Sequence, residues 1–590
     1  MPPRGAGKTE GYNHSPARGN PTMKALKSTL LLSTILLLAG CNLPVPSPLA
    51  AAPTQGPGAS PQPTQAAVAV EHSIGVRQGA RGAEFYDRTT GQTFVVRGAN
   101  YIFIPQPGGS PTIEVFRVGT YDPARTRADF TRLARSGYNT VRVFLDHCSR
   151  GSGCIADADN VGLNPTYLAN ITDLTQAARQ AGIQVLFTSN DLPDQGGYSE
   201  QASSQSGATF AGYRNSYYLT PGAITATRRY WRDLITGLME QGLAPDAVLG
   251  WQLLNEQWMF LDQPPLSLRQ GTVETTTGSY DMSSAEQRRR MVSDGLIYYI
   301  DQMKEEILTH DPTALVTMGF FVPELVAPTW FVDTAPLLTG SNLDFFDFHG
   351  YPGPLSLAQH AEAFGMLGYN AKPILLGEYG AFRSRYPKVA AAARALTAWM
   401  ADSCPLGFDG WLYWAYYPAG AQAGDETWGL TEENGYLMDR MAPANQPDPC
   451  VPVAIANPNL AFGRAATASR SLPDQPPGLA VDEDAATQWG AGLHPPQWIE
   501  IDLGSPTDIA RILLTSAQFP DGPTVHQIWV RGPSDSLRQV HEFRGDTHDS
   551  QVLEFAPSTP LSNVQFVRIL TITSPSWVTW KEVEIYGDGG

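Results

Sequence analysis

Residues 75–445 alternate short apolar runs with longer amphipathic segments. Short apolar runs bounded by turn residues are typical of strands buried on both faces, and the segments between them repeat apolar positions as one face of a helix does. The predicted strands are residues 93–97, 140–144, 184–188, 247–253, 315–318, 345–348, 374–376 and 410–414, and the clearest helices are 166–181, 226–241, 284–309 and 389–402. Strands joined by helical crossovers predict a parallel sheet, which at this length is a closed (β/α)8 barrel.

The pattern changes after Cys450. Runs such as 498–503, 525–530 and 566–569 alternate apolar and polar residues, which is typical of antiparallel strands with one buried face. We therefore predict an α/β fold, a (β/α)8 TIM barrel over residues 73–450, followed by an all-β sandwich over residues 455–590.

The N-terminal region has the pattern of an export signal. Residues 23–27 form a short start with two lysines, residues 28–38 form an apolar core, and Leu37-Leu38-Ala39-Gly40-Cys41 resembles a lipobox. We interpret residues 1–41 as a leader and lipoprotein signal peptide, with translation beginning at Met23, and residues 42–72 as a disordered linker. This predicts an exported protein, lipid-anchored through Cys41 at the outer face of a bacterial cell.

Composition narrows the class of protein. Across 590 residues the net charge is −17, which argues against nucleic-acid binding because phosphate binding needs a basic surface. The 13 Trp and 23 Tyr favour stacking on flat ligands such as sugar rings, although aromatic residues are also ordinary core material. We expect a monomer whose partner is an oligosaccharide or polysaccharide, with no membrane contact beyond the anchor.

Four cysteines follow Cys41 in an exported chain, which suggests two disulfides. We predict Cys148–Cys154 and Cys404–Cys450; the alternative is four free buried thiols. No pattern of cysteine and histidine indicates zinc or redox chemistry.

Two apolar runs end in glutamate: Trp251-Gln252-Leu253-Leu254-Asn255-Glu256 and Pro373-Ile374-Leu375-Leu376-Gly377-Glu378-Tyr379-Gly380. A carboxylate at the C-terminal end of a barrel strand lies where such barrels carry their chemistry. Two of them on separate strands are the minimum needed to cleave a glycosidic bond. The alternative is that each glutamate pairs with a lysine or caps a helix.

Five short motifs in chain order resemble glycoside hydrolase family 5, or its wider clan of (β/α)8 retaining hydrolases. They are Gly137-Tyr138-Asn139-Thr140-Val141-Arg142, Asn255-Glu256, His349-Gly350-Tyr351, Gly377-Glu378-Tyr379-Gly380 and Trp411-Leu412-Tyr413-Trp414. The resemblance implies that Glu256 is the acid/base and Glu378 the nucleophile, with no cofactor for catalysis.

The same resemblance implies substrate-binding roles for five residues. Asn255 would bind a sugar 2-hydroxyl, Trp414 would stack under a pyranose, and His349 would line the cleft. Arg142 would keep Glu378 ionised, and Tyr351 would donate a hydrogen bond to it. The alternatives are a structural ion pair for Arg142 and ordinary core packing for His349 and Trp414.

The chain departs from the family after the third strand. Many family cellulases carry a histidine there, whereas this chain has Phe187-Thr188-Ser189-Asn190-Asp191. Asn190 or Asp191 is expected to replace that sugar contact, unless the subsite is absent. Asp146 and His147 form a further polar pair beside the predicted cleft, either for substrate or held by the adjacent disulfide loop.

Residues 457–587 resemble a discoidin-like domain, as in family 32 carbohydrate-binding modules. The resemblance rests on Asn459-Leu460-Ala461, Ala466-Thr467-Ala468-Ser469, Ala480-Val481-Asp482-Glu483-Asp484, Thr487-Gln488-Trp489, 498–504 and 582–587. It implies a structural Ca²⁺ held by Asp482, Asp484, Thr487 and one of Glu582 or Glu584. Glu483 replaces the usual glycine, and the alternative is a solvated acidic turn without metal.

Together these features predict a retaining glycoside hydrolase that cleaves a β-linked polysaccharide such as a β-glucan, cellulose or mannan. The alternatives from the same sequence are a surface glycan-binding lipoprotein without catalysis, and a transglycosylase on the same scaffold.

Overall fold

A computed structural model gives the fold of residues 71–587. Within that range it leaves undescribed residues 81, 106–111, 147, 149–150, 157–160, 191, 205–209, 211–212, 322–329, 332, 354, 419–425 and 454–458. The predicted leader, Cys41 and most of the predicted linker lie outside the described residues, as do His147 and Asp191.

The first part of the chain alternates strands and helices. Its strands are β1 (Ile74–Gln78), β2 (Ala83–Asp87), β3 (Val96–Asn100), β4 (Thr140–Phe144), β5 (Gln184–Thr188), β6 (Val248–Gln252), β7 (Met259–Phe260), β8 (Thr272–Thr275), β9 (Gly278–Asp281), β10 (Val316–Thr317), β11 (Gly319–Phe321), β12 (Trp330–Phe331), β13 (Phe346–His349), β14 (Ile374–Tyr379) and β15 (Gly410–Tyr413). Its helices are α1 (Pro123–Arg135), α2 (Pro165–Ala181), α3 (Tyr198–Ser204), α4 (Pro221–Glu240), α5 (Ala285–His310), α6 (Ala335–Gly340), α7 (Leu357–Phe364), α8 (Val389–Ser403) and α9 (Tyr436–Met441).

Nine of these strands form one parallel sheet in the order β10-β6-β5-β4-β3-β15-β14-β13-β11. β10 and β11 are consecutive in the chain and act as one interrupted strand, because β10 pairs with β6 and β11 pairs with β13. The sheet therefore closes on itself with eight positions around the ring. The predicted (β/α)8 barrel is confirmed.

Most predicted elements lie close to the observed ones, and two differences have local causes. The first barrel strand begins at Val96 rather than at residue 93, because Phe94 N donates to Phe85 O (2.8 Å) and so ties this segment to the β1–β2 hairpin. Helix α4 begins at Pro221, earlier than the predicted residue 226, because Thr220 caps it by accepting from Ala223 N.

The β1–β2 hairpin covers the N-terminal end of the barrel. Ile74 and Phe85 from the hairpin pack in one buried cluster with the first residues of the barrel strands, such as Val96 and Leu375. Because this end is filled with apolar side chains, a polar site is left to the opposite end, where the strands finish.

The second part of the chain is antiparallel. Its strands are β16 (Ala465–Ala468), β17 (Trp489–Gly490), β18 (Gln497–Ser516), β19 (Gly522–Arg531), β20 (Arg538–Thr547), β21 (Val552–Phe555), β22 (Leu561–Thr573) and β23 (Thr579–Gly587). The long strand β18 pairs with β22 through its first half and with β23 through its second half. These antiparallel strands enclose a separate apolar core, which confirms the predicted β-sandwich.

Two disulfides join Cys148 to Cys154 and Cys404 to Cys450, as the sequence predicts. Among the helices that the structure describes, none combines the length and the apolar character required to cross a membrane.

Candidate active site

The two predicted catalytic glutamates meet at the C-terminal end of the barrel. Glu378 lies in β14, and Glu256 lies four residues beyond the end of β6. Each offers a carboxylate oxygen, and these oxygens lie within 4.8 Å of each other and of a His349 ring nitrogen. The Glu378 side chain is 5% exposed and that of Glu256 is 24% exposed. One carboxyl group is thus enclosed and the other is open to the cleft.

Arg142 of β4 is the fixed cation beneath this pair. Its guanidinium is fully buried, and Nη1 donates to Glu378 Oε1 at 2.7 Å. Nη2 donates to Asn255 Oδ1, and Nε donates to Gln252 Oε1 at 2.7 Å. A planar group with several fixed donors holds three neighbours in one geometry, which a lysine could not do.

His349, the last residue of β13, bridges the two glutamates. Its Nδ1 lies 2.8 Å from Glu256 Oε1 and 3.5 Å from Glu378 Oε1. Burial alone would lower the pKa of His349, but the charge of Glu378, together with Asp347 and Glu256, raises it to about 10. The surrounding carboxylates therefore favour the protonated, cationic form of the imidazole.

Tyr351 completes the surroundings of Glu378. Its hydroxyl donates to Glu378 Oε2 at 2.9 Å. Burial raises the pKa of Glu378, and the charges of His349 and Arg142, together with the Tyr351 hydrogen bond, oppose that rise. Both oxygens of this carboxyl are therefore held in place, as a nucleophile requires.

Asn255 and Trp414 lie at the rim of the same site. The Asn255 amide oxygen accepts from Arg142, which leaves the amide nitrogen without a hydrogen bond among the described residues. Trp414 follows β15 and is half-buried, with its ring meeting the edges of Phe103 (5.9 Å) and Phe144 (6.4 Å). The structure thus brings Arg142, Asn255, His349 and Tyr351 together with the two glutamates, and the backbone N–H of Trp414 donates to Tyr379 O (2.8 Å), next to Glu378 in the chain.

Glu256, His349 and Glu378 are also the described group whose spacing would suit a metal ion. Both oxygens of Glu378 already accept hydrogen bonds, from Arg142 (2.7 Å) and from Tyr351 (2.9 Å), and the charge of the guanidinium would repel a metal ion. The donor set therefore suits two carboxyl groups held by cations better than it suits a metal.

Three polar residues of this network were not singled out in the sequence. Asn100 Oδ1 accepts from Arg142 Nη1 (2.8 Å), Gln252 Nε2 donates to Asp347 Oδ2, and Asp347 lies 3.6 Å from Arg142 Nε. A signal in the sequence could have found two of them, because Gln252 ends a fully buried, otherwise apolar strand and Asp347 lies between two phenylalanines in another fully buried strand.

The polar residues after the second and third barrel strands form a separate, structural contact. Asp146 is buried and accepts from Ser189 Oγ (2.6 Å), the Asn190 backbone N–H (2.6 Å) and the Tyr230 hydroxyl (3.0 Å). Asp146 therefore ties two loops of the cleft wall together.

The predicted calcium residues divide into two sets. Asp482 accepts from the Thr487 hydroxyl (2.9 Å), and Glu582 lies against Asp482. Glu582 Oε1 is buried with no hydrogen-bond partner among the described residues. Burial, the charge of Asp482 and a hydrogen bond to it raise the pKa of Glu582 to about 10.

These observations fit a hard cation. An orphaned carboxylate oxygen beside a second carboxyl and a hydroxyl is the kind of donor set that Ca²⁺ prefers. Asp482, Thr487 and Glu582 are the residues that would hold it, with the rest of a shell of about six to eight oxygens left to backbone carbonyls and water.

The other acidic residues of this turn contact the barrel instead. Asp484 pairs with Arg385, Glu483 with Arg394, and Glu584 with Lys388. The backbone N–H of Ala485 also donates to Arg385 O (3.1 Å). Glu483 has a φ of 58°, a left-handed backbone conformation that favours glycine. This agrees with the resemblance, in which glycine is the usual residue at this position. Of the two predicted glutamates, Glu582 rather than Glu584 faces Asp482.

Comparison with known proteins assigns the C-terminal region. Residues 465–583 match the family model described as F5/8 type C domain, which confirms the resemblance of this region to discoidin-like domains. No curated protein matches the chain.

Solved structures similar to parts of the chain include a mannosidase and two carbohydrate-binding modules. An exo-β-1,4-mannosidase from Opitutaceae bacterium strain TAV5 is 19% identical over 64% of each chain, with a TM-score of 0.43. A family 32 carbohydrate-binding module of Clostridium perfringens NanJ, in complex with galactose, is 18% identical over 21% of this chain and 93% of its own, with a TM-score of 0.20. A chitosan-binding module from a Paenibacillus chitosanase/glucanase is 28% identical over 22% of this chain and all of its own, with a TM-score of 0.19.

Proposed function

We propose that this chain is a retaining glycosidase that acts on a β-linked oligosaccharide or polysaccharide by double displacement. The observation that carries the proposal is the separation of the two carboxyl groups, at most 4.8 Å between the oxygens of Glu256 and Glu378. Retaining enzymes place these groups about 5–5.5 Å apart, whereas inverting enzymes need about 6.5–9.5 Å to admit a water molecule.

In the first step the Glu378 carboxylate attacks the anomeric carbon and the bond to the leaving oxygen breaks. The Glu256 carboxyl gives its proton to that oxygen, and a covalent glycosyl ester remains on Glu378. The Tyr351 hydroxyl and the Arg142 guanidinium hold the two carboxylate oxygens, so little reorganisation is needed during attack.

In the second step Glu256, now ionised, takes a proton from water, and the resulting hydroxide displaces Glu378 from the sugar. The more exposed position of Glu256 suits this exchange with solvent. The free amide nitrogen of Asn255 is available to the 2-hydroxyl of the sugar, and the half-buried indole of Trp414 offers a surface for a pyranose ring.

The sandwich domain suits a role in glycan binding beside the catalytic barrel, and the N-terminal pattern suits an exported protein anchored through Cys41. The two disulfides support export, because disulfides persist in oxidising compartments.

The test is a hydrolysis screen of residues 70–590 on β-glucan, cellulose and mannan, with Glu256→Gln and Glu378→Ala measured in parallel. We expect wild-type activity on at least one polymer and a loss of roughly 10⁴-fold in each variant. Glu362→Ala, an exposed glutamate on α7, is the matched control and should retain activity. Activity that persists in Glu378→Ala would contradict the proposal.

Analysis of the reaction products distinguishes hydrolysis from transglycosylation and from binding without catalysis. Longer oligosaccharides among the products would indicate transglycosylation by the same residues. Binding of a polymer without turnover would indicate a glycan-binding protein.

A further inference from the structure

Asp347 is a carboxylate beneath the catalytic pair to which the double-displacement mechanism assigns no task. It lies in the middle of β13 and is fully buried, two residues before His349. An ionised group without contact to solvent is costly unless it is paired, so its position needs a physical reason.

The surrounding chain is shaped to hold this carboxylate. Gln252 donates to Oδ2, while Oδ1 has no hydrogen-bond partner among the described residues. Gly377 leaves the space for it, because a Cβ at residue 377 would lie 1.7 Å from Asp347 Oδ1. The residue before the predicted nucleophile therefore lacks a side chain where Asp347 lies.

Asp347 faces the two cations of the site. Its Oδ2 lies 3.6 Å from Arg142 Nε and 3.5 Å from His349 Nε2. On the other side of the ring, His349 Nδ1 lies 2.8 Å from Glu256 Oε1 and 3.5 Å from Glu378 Oε1. His349 thus joins a buried carboxylate on one side to the catalytic carboxyl groups on the other.

The protonation of the two His349 ring nitrogens decides which oxygen of Glu256 can carry the acidic proton. When the imidazole is protonated at both nitrogens, Nδ1–H occupies Glu256 Oε1, so the acidic proton of Glu256 must reside on Oε2. A neutral imidazole could instead accept that proton at Nδ1, which would turn the acid toward His349 and away from a leaving group.

We propose that Asp347 is a positioning residue that keeps His349 doubly protonated and thereby directs the proton of Glu256 into the cleft. The proposal rests on the function proposed above for its kinetic consequence, but the protonation of His349 is measurable without a substrate. The ionisable groups that face His349 are Asp347 on its own strand, Glu378 on β14 and Glu256 after β6. Arg142 on β4 contacts two of these carboxylates, and Tyr351 contacts Glu378.

Two variants test the proposal. Asp347→Asn removes the charge with almost no change of shape. The double variant Asp347→Asn/Gln252→Glu exchanges acid and amide, so the hydrogen bond between residues 252 and 347 and a charge beside Arg142 remain, while the carboxylate 3.5 Å from His349 Nε2 is replaced by an amide. The double variant should fold even if the single variant is destabilised. Asp344→Asn, an aspartate just before β13 that pairs with Lys304 (2.7 Å), is the matched control.

The first measurement is ¹⁵N NMR of the histidine rings between pH 5 and 9, with His349 assigned by comparison with His349→Gln. We expect both nitrogens of His349 to stay protonated through pH 8.5 in the wild type and in Asp344→Asn, and to titrate below pH 8 in both Asp347 variants. Continued protonation in the Asp347 variants, or titration near pH 6.5 in the wild type, would overturn the proposal.

The second measurement is the pH profile of kcat on the polymer that the wild type cleaves. We expect kcat of both Asp347 variants to fall about tenfold more at pH 8.5 than at pH 5.5, in parallel with the His349 titration and with little change in KM. Equal losses at all pH values would indicate a merely structural role and overturn the positioning role. A wild type without activity but with the expected NMR result would refute the proposed function and leave the effect of Asp347 on His349 standing.

Discussion

Glu378 in the barrel and Glu582 in the sandwich are both buried carboxyl groups on a strand, and they differ in what surrounds them. Glu378 has a guanidinium, an imidazolium and a tyrosine hydroxyl from its own domain. Glu582 faces a second carboxyl, Asp482, and its pKa is raised to about 10. Nearby cations of the barrel reach the neighbours Glu483, Asp484 and Glu584 instead.

This difference separates two ways of burying negative charge. In the barrel, two cations and a tyrosine hydroxyl oppose the rise that burial gives to the pKa of the carboxyl group. In the sandwich, a proton or an external cation must supply the missing positive charge. The first arrangement suits chemistry, and the second makes stability depend on pH and on a bound ion.

The largest expected effect comes from removing the fixed cation. Arg142→Met leaves Glu378 and Asp347 buried without their guanidinium, and we expect the free energy of unfolding to fall by about 3–5 kcal/mol. Hydrolysis should also be lost. Urea unfolding followed by tryptophan fluorescence measures the first effect.

The matched control is Arg117→Met, which breaks an exposed pair with Glu114 and should cost less than about 1 kcal/mol. If Arg142→Met were as stable as this control, the carboxylates of the barrel would not depend on an internal cation, and the contrast with the sandwich would fail.

The second effect is the pH dependence of the sandwich. Because the pKa of Glu582 is raised above its unfolded value, its contribution to stability is present below the ordinary glutamate pKa and is lost as the pH rises toward about 10. In EDTA we expect the Tm of the sandwich to fall from pH 5 to pH 9. Glu582→Gln should abolish this fall, whereas Glu554→Gln, exposed on β21, should not.

Calcium binding gives a second test of the difference between the two buried carboxyl groups, because an added cation should stabilise the sandwich. At about a hundredfold excess over its Kd, a bound ion stabilises the folded state by about 2.7 kcal/mol. We expect Ca²⁺ to raise the Tm of the wild type more at pH 8 than at pH 5, because the ion competes with the proton on Glu582. Calcium should have little effect on Glu582→Gln. A pH-independent Tm in EDTA would contradict this description of Glu582.

The smallest expected effect concerns Glu483. Its left-handed backbone costs about 1 kcal/mol relative to glycine, but its side chain accepts from Asn459 (2.9 Å) and pairs with Arg394 of the barrel. Ser550 has a similar φ of 60° in an exposed turn of the sandwich. Ser550→Gly should therefore stabilise the sandwich, whereas Glu483→Gly should stabilise it less or destabilise it. Differential scanning calorimetry measures both, and equal gains would show that the pair with Arg394 contributes nothing.

The sequence predicted the barrel well because its strands are buried on both faces. Strands β4 and β5 begin and end at the predicted residues, and Arg142 and Glu378 follow from the strands that carry them. The position of a residue within a single strand is sufficient to place it in the barrel, so motifs confined to one strand could be interpreted from the sequence.

Contacts that depend on two strands or two domains could not be predicted in the same way. The role of Asp347 depends on the space left by Gly377 on the neighbouring strand. The pairing of Glu584 with Lys388 depends on how the sandwich packs against α8. Such contacts arise from packing between residues that are far apart in the sequence, and a local sequence pattern carries no information about them.

The most direct test of the central claim is covalent trapping of the nucleophile. The wild type would be incubated with 2-deoxy-2-fluoro-β-glucosyl and -mannosyl fluorides, digested, and analysed by mass spectrometry. We predict inactivation and one added fluorosugar on the peptide that contains Glu378, with none in Glu378→Ala. A fluorosugar on another residue, or hydrolysis that proceeds with inversion and without trapping, would contradict the assignment of Glu378 as the nucleophile of a retaining glycosidase.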